Sequence, residues 1–202
     1  MPDSISCDVV LLPNTELSAK ALSASQSLAQ FDSLFTIDNN DFYAHSSLYM
    51  LELKTADLDK AVTLLQTIAK QLQPISGVAT RYDQKERFID AEYEVTAELS
   101  QLQMQVINTL NDVRNGMRAK DKERMLSATG VALKNFQQYG YKPVGELFRP
   151  HITLTRFNDE PTNAQSVLPD VATFSGTFDR LALFEMGDNG TCVRKIAEWN
   201  LS

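Results

Sequence analysis

Histidine is almost missing from this chain: 202 residues contain two. Cysteine is equally scarce, and Cys7 and Cys192 stand at opposite ends of the chain without metal-ligand spacing. That excludes a zinc ribbon or a disulfide scaffold and leaves reduced structural thiols, unless adjacent terminal strands pair them. With eight glycines and seven prolines, no segment reads as low-complexity or disordered. No apolar run approaches the 18 or so residues that a membrane span requires. The N-terminus has no basic region and only the short apolar run Val9–Leu12, so no signal peptide is expected. There is also no P-loop, dinucleotide fingerprint or serine-nucleophile elbow.

Positive charge is in deficit, with 19 basic against 26 acidic residues and a net charge of −7. A protein that wraps long nucleic acid needs a basic surface, so that class is excluded. A small nucleotide or a single RNA terminus needs only a local patch. Apolar residues make up 43% of the chain, enough for a real core. No Gly-, Ser- or Pro-rich linker divides it. The expectation is one compact domain over residues 1–202: cytoplasmic, monomeric, and without a membrane partner.

What is present is a repeated pattern. His45-Ser46-Ser47-Leu48 and His151-Ile152-Thr153-Leu154 both read His-x-(Ser/Thr)-Leu. Ser and Thr fill 30 of 202 positions, so one histidine meets a loose version of the pattern with a probability of about 0.06, and both together about 0.004. Both segments read as strands. Residues 42–51 and 151–157 are rich in aromatic, β-branched and apolar types, and Pro150 stands just before the second, where its missing N–H is tolerated. On a strand, residues i and i+2 share a face, so each imidazole projects beside a hydroxyl while Leu48 and Leu154 project the other way.

Two imidazoles across a cleft can serve as general base and general acid in one displacement. Hydroxyls beside them can donate to the non-bridging oxygens of a phosphate. His45 and His151 are therefore the candidate catalytic residues, and Ser47 and Thr153 candidate substrate ligands. By the same parity Tyr43 and Tyr49 fall on the face of His45, where either could stack on a nucleobase, and Arg149 on the face of His151, where it could clamp a phosphate. Arg156 falls on the opposite face. Neither motif places an acid at i+2 or i+4 from its histidine, so no metal and no cofactor is expected.

The remaining pattern predicts an α+β fold. A buried strand over Cys7–Leu12 precedes a helix from about Thr15 to Gln30, and Asp38-Asn39-Asn40-Asp41 forms a turn into the first histidine strand. A helix spans 57–72, and strands at about 76–83 and 87–95 flank a turn at Asp83-Gln84-Lys85-Glu86. Long helices follow at 97–117 and 121–139. Residues 174–185 and 191–201 form a closing hairpin over Asp188-Asn189-Gly190.

The segment Phe148-Arg149-Pro150-His151-Ile152-Thr153-Leu154-Thr155-Arg156, together with His45-Ser46-Ser47-Leu48, resembles the 2H phosphoesterases, which include 2′-5′ RNA ligase-like proteins and cyclic phosphodiesterases. The resemblance implies two antiparallel sheets facing a central groove, helices packed outside, and a bilobal shape that brings the two histidines together. It implies metal-independent hydrolysis of a 2′,3′-cyclic phosphate, a 2′-5′ linkage or a related nucleotide. Alternatives are reversible 2′-5′ RNA end joining and a non-catalytic module that binds a nucleotide or RNA end.

Overall fold

The computed structural model describes residues 3–202 and is an α+β fold with two antiparallel sheets. The larger sheet has the order β2 (Ser46–Lys54), β1 (Ser4–Pro13), β7 (Gly176–Met186), β3 (Ile75–Gly77), and β8 (Cys192–Asn200) also pairs with β7. The smaller sheet runs β4 (Ala79–Lys85), β5 (Phe88–Tyr93), β6 (His151–Arg156). The strand that follows His45, β2, and the strand that begins at His151, β6, are each the edge of their sheet, and the two approach one another.

Among the described residues five α-helices cover the sheets: α1 (Thr15–Leu28), α2 (Leu58–Ala69), α3 (Ala97–Leu110), α4 (Ala119–Met125) and α5 (Gly130–Tyr139). α1 packs against β1 and β6, and α3 against β2. One apolar cluster draws on both sheets, joining Val9, Leu48, Leu51 and Leu183 to Ile89, Ile152 and Leu154. Among the described residues no helix is long and apolar enough to cross a membrane.

Local chemistry explains where the elements depart from the pattern. The long helix expected over 121–139 is two helices, because Gly130 takes φ +56° and opens a new one. The helix expected to reach residue 117 ends at Leu110. The strand expected over 76–83 is also two, because the chain leaves one sheet for the other at Gly77-Val78. Its hairpin turns at Glu86-Arg87, three residues later than the start of the expected turn, with φ of +54° and +68° at the two corner residues. That is the turn geometry that matches strand twist, here without glycine.

Gly77 stands where the two sheets part. A Cβ there would lie 2.8 Å from ring atoms of both Phe178 and Tyr93, whose rings already meet edge to face. Gly77→Ala is therefore expected to cost about 1–3 kcal/mol, the usual penalty of overpacking a filled core. Denaturant midpoints measure this, and an unchanged midpoint would show that the rings have slack.

Candidate active site

Both histidine segments carry the same irregularity. In the β1–β2 ladder Val9 faces Tyr49 and Val10 faces Ser47, which leaves Leu48 unpaired. In the β5–β6 ladder Ile89 faces Thr155 and Asp90 faces Thr153, which leaves Leu154 unpaired. A bulge of this kind puts two successive residues on one side of a strand. Leu48 and Tyr49 are accordingly both buried, as are Leu154 and Thr155, while Met50 and Arg156 return to the groove.

This bulge overrides simple alternation at three positions. Tyr49 is fully buried and does not reach the histidines; its hydroxyl donates to the Tyr139 carbonyl at 2.7 Å. Thr155 leaves the His151 face and donates to the Phe35 carbonyl at 2.6 Å. Arg156, assigned to the far side, lines the groove, with its guanidinium 4.9 Å from the Phe88 ring centre and bonded to Asn189.

His45, Ser47, His151 and Thr153 line one groove of about 950 Å³. His45 Nδ1 lies 2.7 Å from the Tyr43 carbonyl, and His151 Nδ1 lies 2.6 Å from the Arg149 carbonyl. A carbonyl can only accept, so in each ring Nδ1 carries the hydrogen, and in a neutral ring Nε2 holds a lone pair. Each segment thus sets the tautomer of its histidine with its own backbone two residues upstream. Burial, with the electrostatic influence of His151, pushes the pKa of His45 down, against its hydrogen bonds to the Tyr43 and Gly190 backbone.

Each hydroxyl donates to a carboxylate from the neighbouring strand. Ser47 Oγ reaches Asp8 Oδ2 at 2.6 Å, and Thr153 Oγ1 reaches Asp90 Oδ1 at 2.7 Å. These carboxylates also stand 3.9 and 4.0 Å from Nε2 of His45 and His151, too far for hydrogen bonds. The parallel is incomplete. Asp90 faces Thr153 directly, whereas Asp8 faces Met50, further along β2. Asp90 is paired with Arg149 at 2.6 Å, while Asp8 is fully buried and its Oδ1 has no hydrogen-bond partner among the described residues. Burial raises the Asp8 pKa to about 7, against the Ser47 bond and the Arg118 charge.

Both acids escaped the sequence reading. The available signal was a lone carboxylate in an apolar strand, Cys-Asp-Val-Val-Leu-Leu and Phe-Ile-Asp-Ala. Arg149 does line the groove, but its guanidinium is held by Asp83, Asp90 and Glu92 at 2.5–2.6 Å. Tyr43 packs on Phe184, with ring centres 4.8 Å apart, beneath the Lys195 ammonium, and borders a small pocket beside His45. Neither face is offered to the main groove.

Spacing could not reveal one further grouping. Donor atoms of Asp8, His45 and Cys192, from three separate segments, lie within 4.8 Å of one another, a donor set suited to zinc. Both thiols are free, and Cys192 lies in the apolar cluster of Val10 and Phe184 whereas Cys7 lies in the main core. They therefore occupy different faces of the sheet and do not pair.

Residues 51–189 match the family model described as "Protein of unknown function (DUF1045)", a match that contains the second histidine motif and begins just after the first. No curated protein matches the chain. Among solved structures, the chain is similar to E. coli LigT in its apo form, with TM-score 0.61 and 14% identity over 100% of this chain and 99% of that one. It is also similar to E. coli LigT complexed with 3′-AMP, with TM-score 0.63 and 14% identity over 98% and 99%. A structure described as a phosphoesterase gives TM-score 0.54 and 13% identity over 98% of each chain. At such identity these matches show a shared fold.

The state of Asp8 links stability to pH. Its folded pKa of about 7 lies above its ordinary 3.8, so the folded protein binds the extra proton between those values. Stability contributed by that proton is complete below about pH 4 and is lost as pH rises through 7. Asp8→Asn removes the ionisation. Its stability relative to the parent should climb between pH 4 and 7 by a few kcal/mol and then level off. Thermal melts at several pH values would show this, and a pH-independent difference would rule it out.

Proposed function

Taking as premise that the chain belongs to the family described as "Protein of unknown function (DUF1045)", we propose that it is a phosphodiesterase. In this reading it opens a cyclic or 2′-5′ nucleotide-type phosphodiester by paired-histidine acid–base catalysis without a metal. The carrying observation is the duplicated local geometry: the same bulge, the same Nδ1–carbonyl lock and the same hydroxyl–carboxylate bond at two motifs that share one groove. E. coli LigT has been crystallised with phosphate and with 3′-AMP, which fits a groove that receives a nucleotide phosphate.

Burial favours the neutral form of His45, the form that accepts a proton, so His45 takes the part of base toward the attacking water. His151, with its side chain 28% exposed against 11% for His45, takes the part of acid toward the departing oxygen. A hydroxyl has one hydrogen, and Ser47 and Thr153 now give theirs to Asp8 and Asp90. At Ser47, a protonated Asp8 can donate instead, which releases the serine hydrogen to a phosphoryl oxygen. Thr153 turns its hydrogen from Asp90 to the phosphate, while Arg149 keeps that carboxylate compensated. Arg156 stands in the same groove and supplies positive charge.

His45→Ala and His151→Ala should each lower turnover of 2′,3′-cyclic nucleotides by a factor on the order of 10²–10⁴. The double variant should lose much less than the product of the two, because the pair acts as a unit. Activity should persist in excess EDTA. Loss in EDTA that zinc restores would move the chemistry to a metal held by Asp8, His45 and Cys192. Tight binding of the same compounds without turnover would make the protein a binding module.

Thr153→Val keeps the branched shape of the side chain and removes the donor. It should melt near the parent temperature and lose on the order of 10²–10³ in rate. Retained turnover with lost stability would make the hydroxyl structural.

A further inference from the structure

Resting on that reading, we infer that the groove takes a substrate with two phosphates: a small phosphodiester that also carries a phosphomonoester, which is held by Arg118, the residue just before α4, and by Lys120 and Arg124 on that helix. This charge lies in the wrong place for an acidic protein. The chain carries −7 overall, yet the groove is lined by six cationic side chains and only two acidic ones, Glu86 and Asp188. The cations are sorted. Arg149 is neutralised by its three carboxylates beneath the histidine motif, Arg156 stands one groove-facing position beyond Thr153, and Arg87 at the hairpin corner donates to the Asn158 carbonyl. The α4 group is separate from all three.

Its construction points to an anion. Asp121, 2% exposed, binds Arg118 at 2.6 and 2.7 Å and Arg124 at 3.6 Å. One carboxylate therefore serves two guanidinium groups and leaves one positive charge over. Lys120 lines the same groove and, among the described residues, pairs with no carboxylate. Two uncompensated charges match a phosphomonoester dianion, not a single diester charge. Arg118 is itself buried, and one of its amino groups is turned to the Met186 thioether at 3.0 Å, a weak acceptor that an anion's oxygen would replace with gain.

Size and surface agree. About 950 Å³ is at the upper end for a small-molecule site and far exceeds what one cyclic phosphate fills. An RNA end would call for aromatic platforms. Among the described residues Phe88 is the one Phe, Tyr or Trp lining the groove, and the Arg156 guanidinium lies over its ring. A compact bis-anion suits this lining better than a stacked base.

The test compares matched ligands on the full-length protein. Calorimetry would measure a nucleoside 3′,5′-bisphosphate against the 3′-monophosphate, and kinetics a 2′,3′-cyclic nucleotide with and without a 5′-phosphate. The second phosphate should tighten binding on the order of tenfold or more and act mainly on KM. In Lys120→Ala/Arg124→Ala, both exposed positions that the fold should tolerate, the ratio should fall toward one; melting curves confirm folding. Equal affinity for the two ligands, a preference that survives the double variant, or tighter binding of a dinucleotide than of the bisphosphate would each overturn the inference. Hydrolysis without a second-phosphate preference removes the subsite alone. A variant-sensitive preference without hydrolysis keeps the subsite and removes the catalytic reading.

Discussion

Leu48 and Leu154 stand unpaired in their ladders, and the groove depends on that extra residue in each. Before the bulge, His45 with Ser47 and His151 with Thr153 face the cleft. After it, two buried residues in succession re-anchor the strand in the core, and Met50 and Arg156 return to the cleft. A strictly alternating strand would place Tyr49 and Thr155 beside the histidines and send Arg156 away. The bulge also sharpens local twist, which suits two edge strands that meet across a cleft and do not pair. The leucine of the motif thus does more than fill the core, because its position sets which side chains share the groove with the histidines.

The two half-sites share a geometry and differ in electrostatics. Arg149 compensates Asp90, so a full carboxylate charge is tolerable there despite burial. Asp8 has no such partner, and Arg118 acts on it only from a distance. A buried carboxyl without a cation escapes the cost of ionisation by holding a proton. That asymmetry assigns unlike parts to like motifs. One hydroxyl sits on a carboxyl group that can be neutral, and the other on a carboxylate in an ion pair.

The histidine pair, the strands that carry it and the α+β class were legible because they rest on spacing and composition, which are local properties. Asp8 and Asp90 were not, since each reaches its motif through strand pairing, 39 and 63 residues away in the chain. Tyr49 and Arg156 were misplaced for one common reason: period-two reasoning has no term for an inserted residue. The break at Gly130 and the change of sheet at Gly77-Val78 had glycines as signals. What a glycine means there depends on a left-handed φ in the first case and on two aromatic rings in the second. The edge position of β2 and β6 is a matter of topology, which hairpin signals do not fix.

Composition and site now bear on each other. A net charge of −7 repels long polyanions, whose binding grows with every phosphate neutralised. A cleft with six cations focuses positive potential over a short range only, since surface charges are screened within about 8–10 Å at ordinary ionic strength. A small anion that enters the groove would meet the local field, while a long strand would meet mainly the acidic exterior. The scarcity of positive charge that argued against a nucleic-acid surface is thus compatible with a phosphate site, because the cations that matter are concentrated in one cleft around the two histidines.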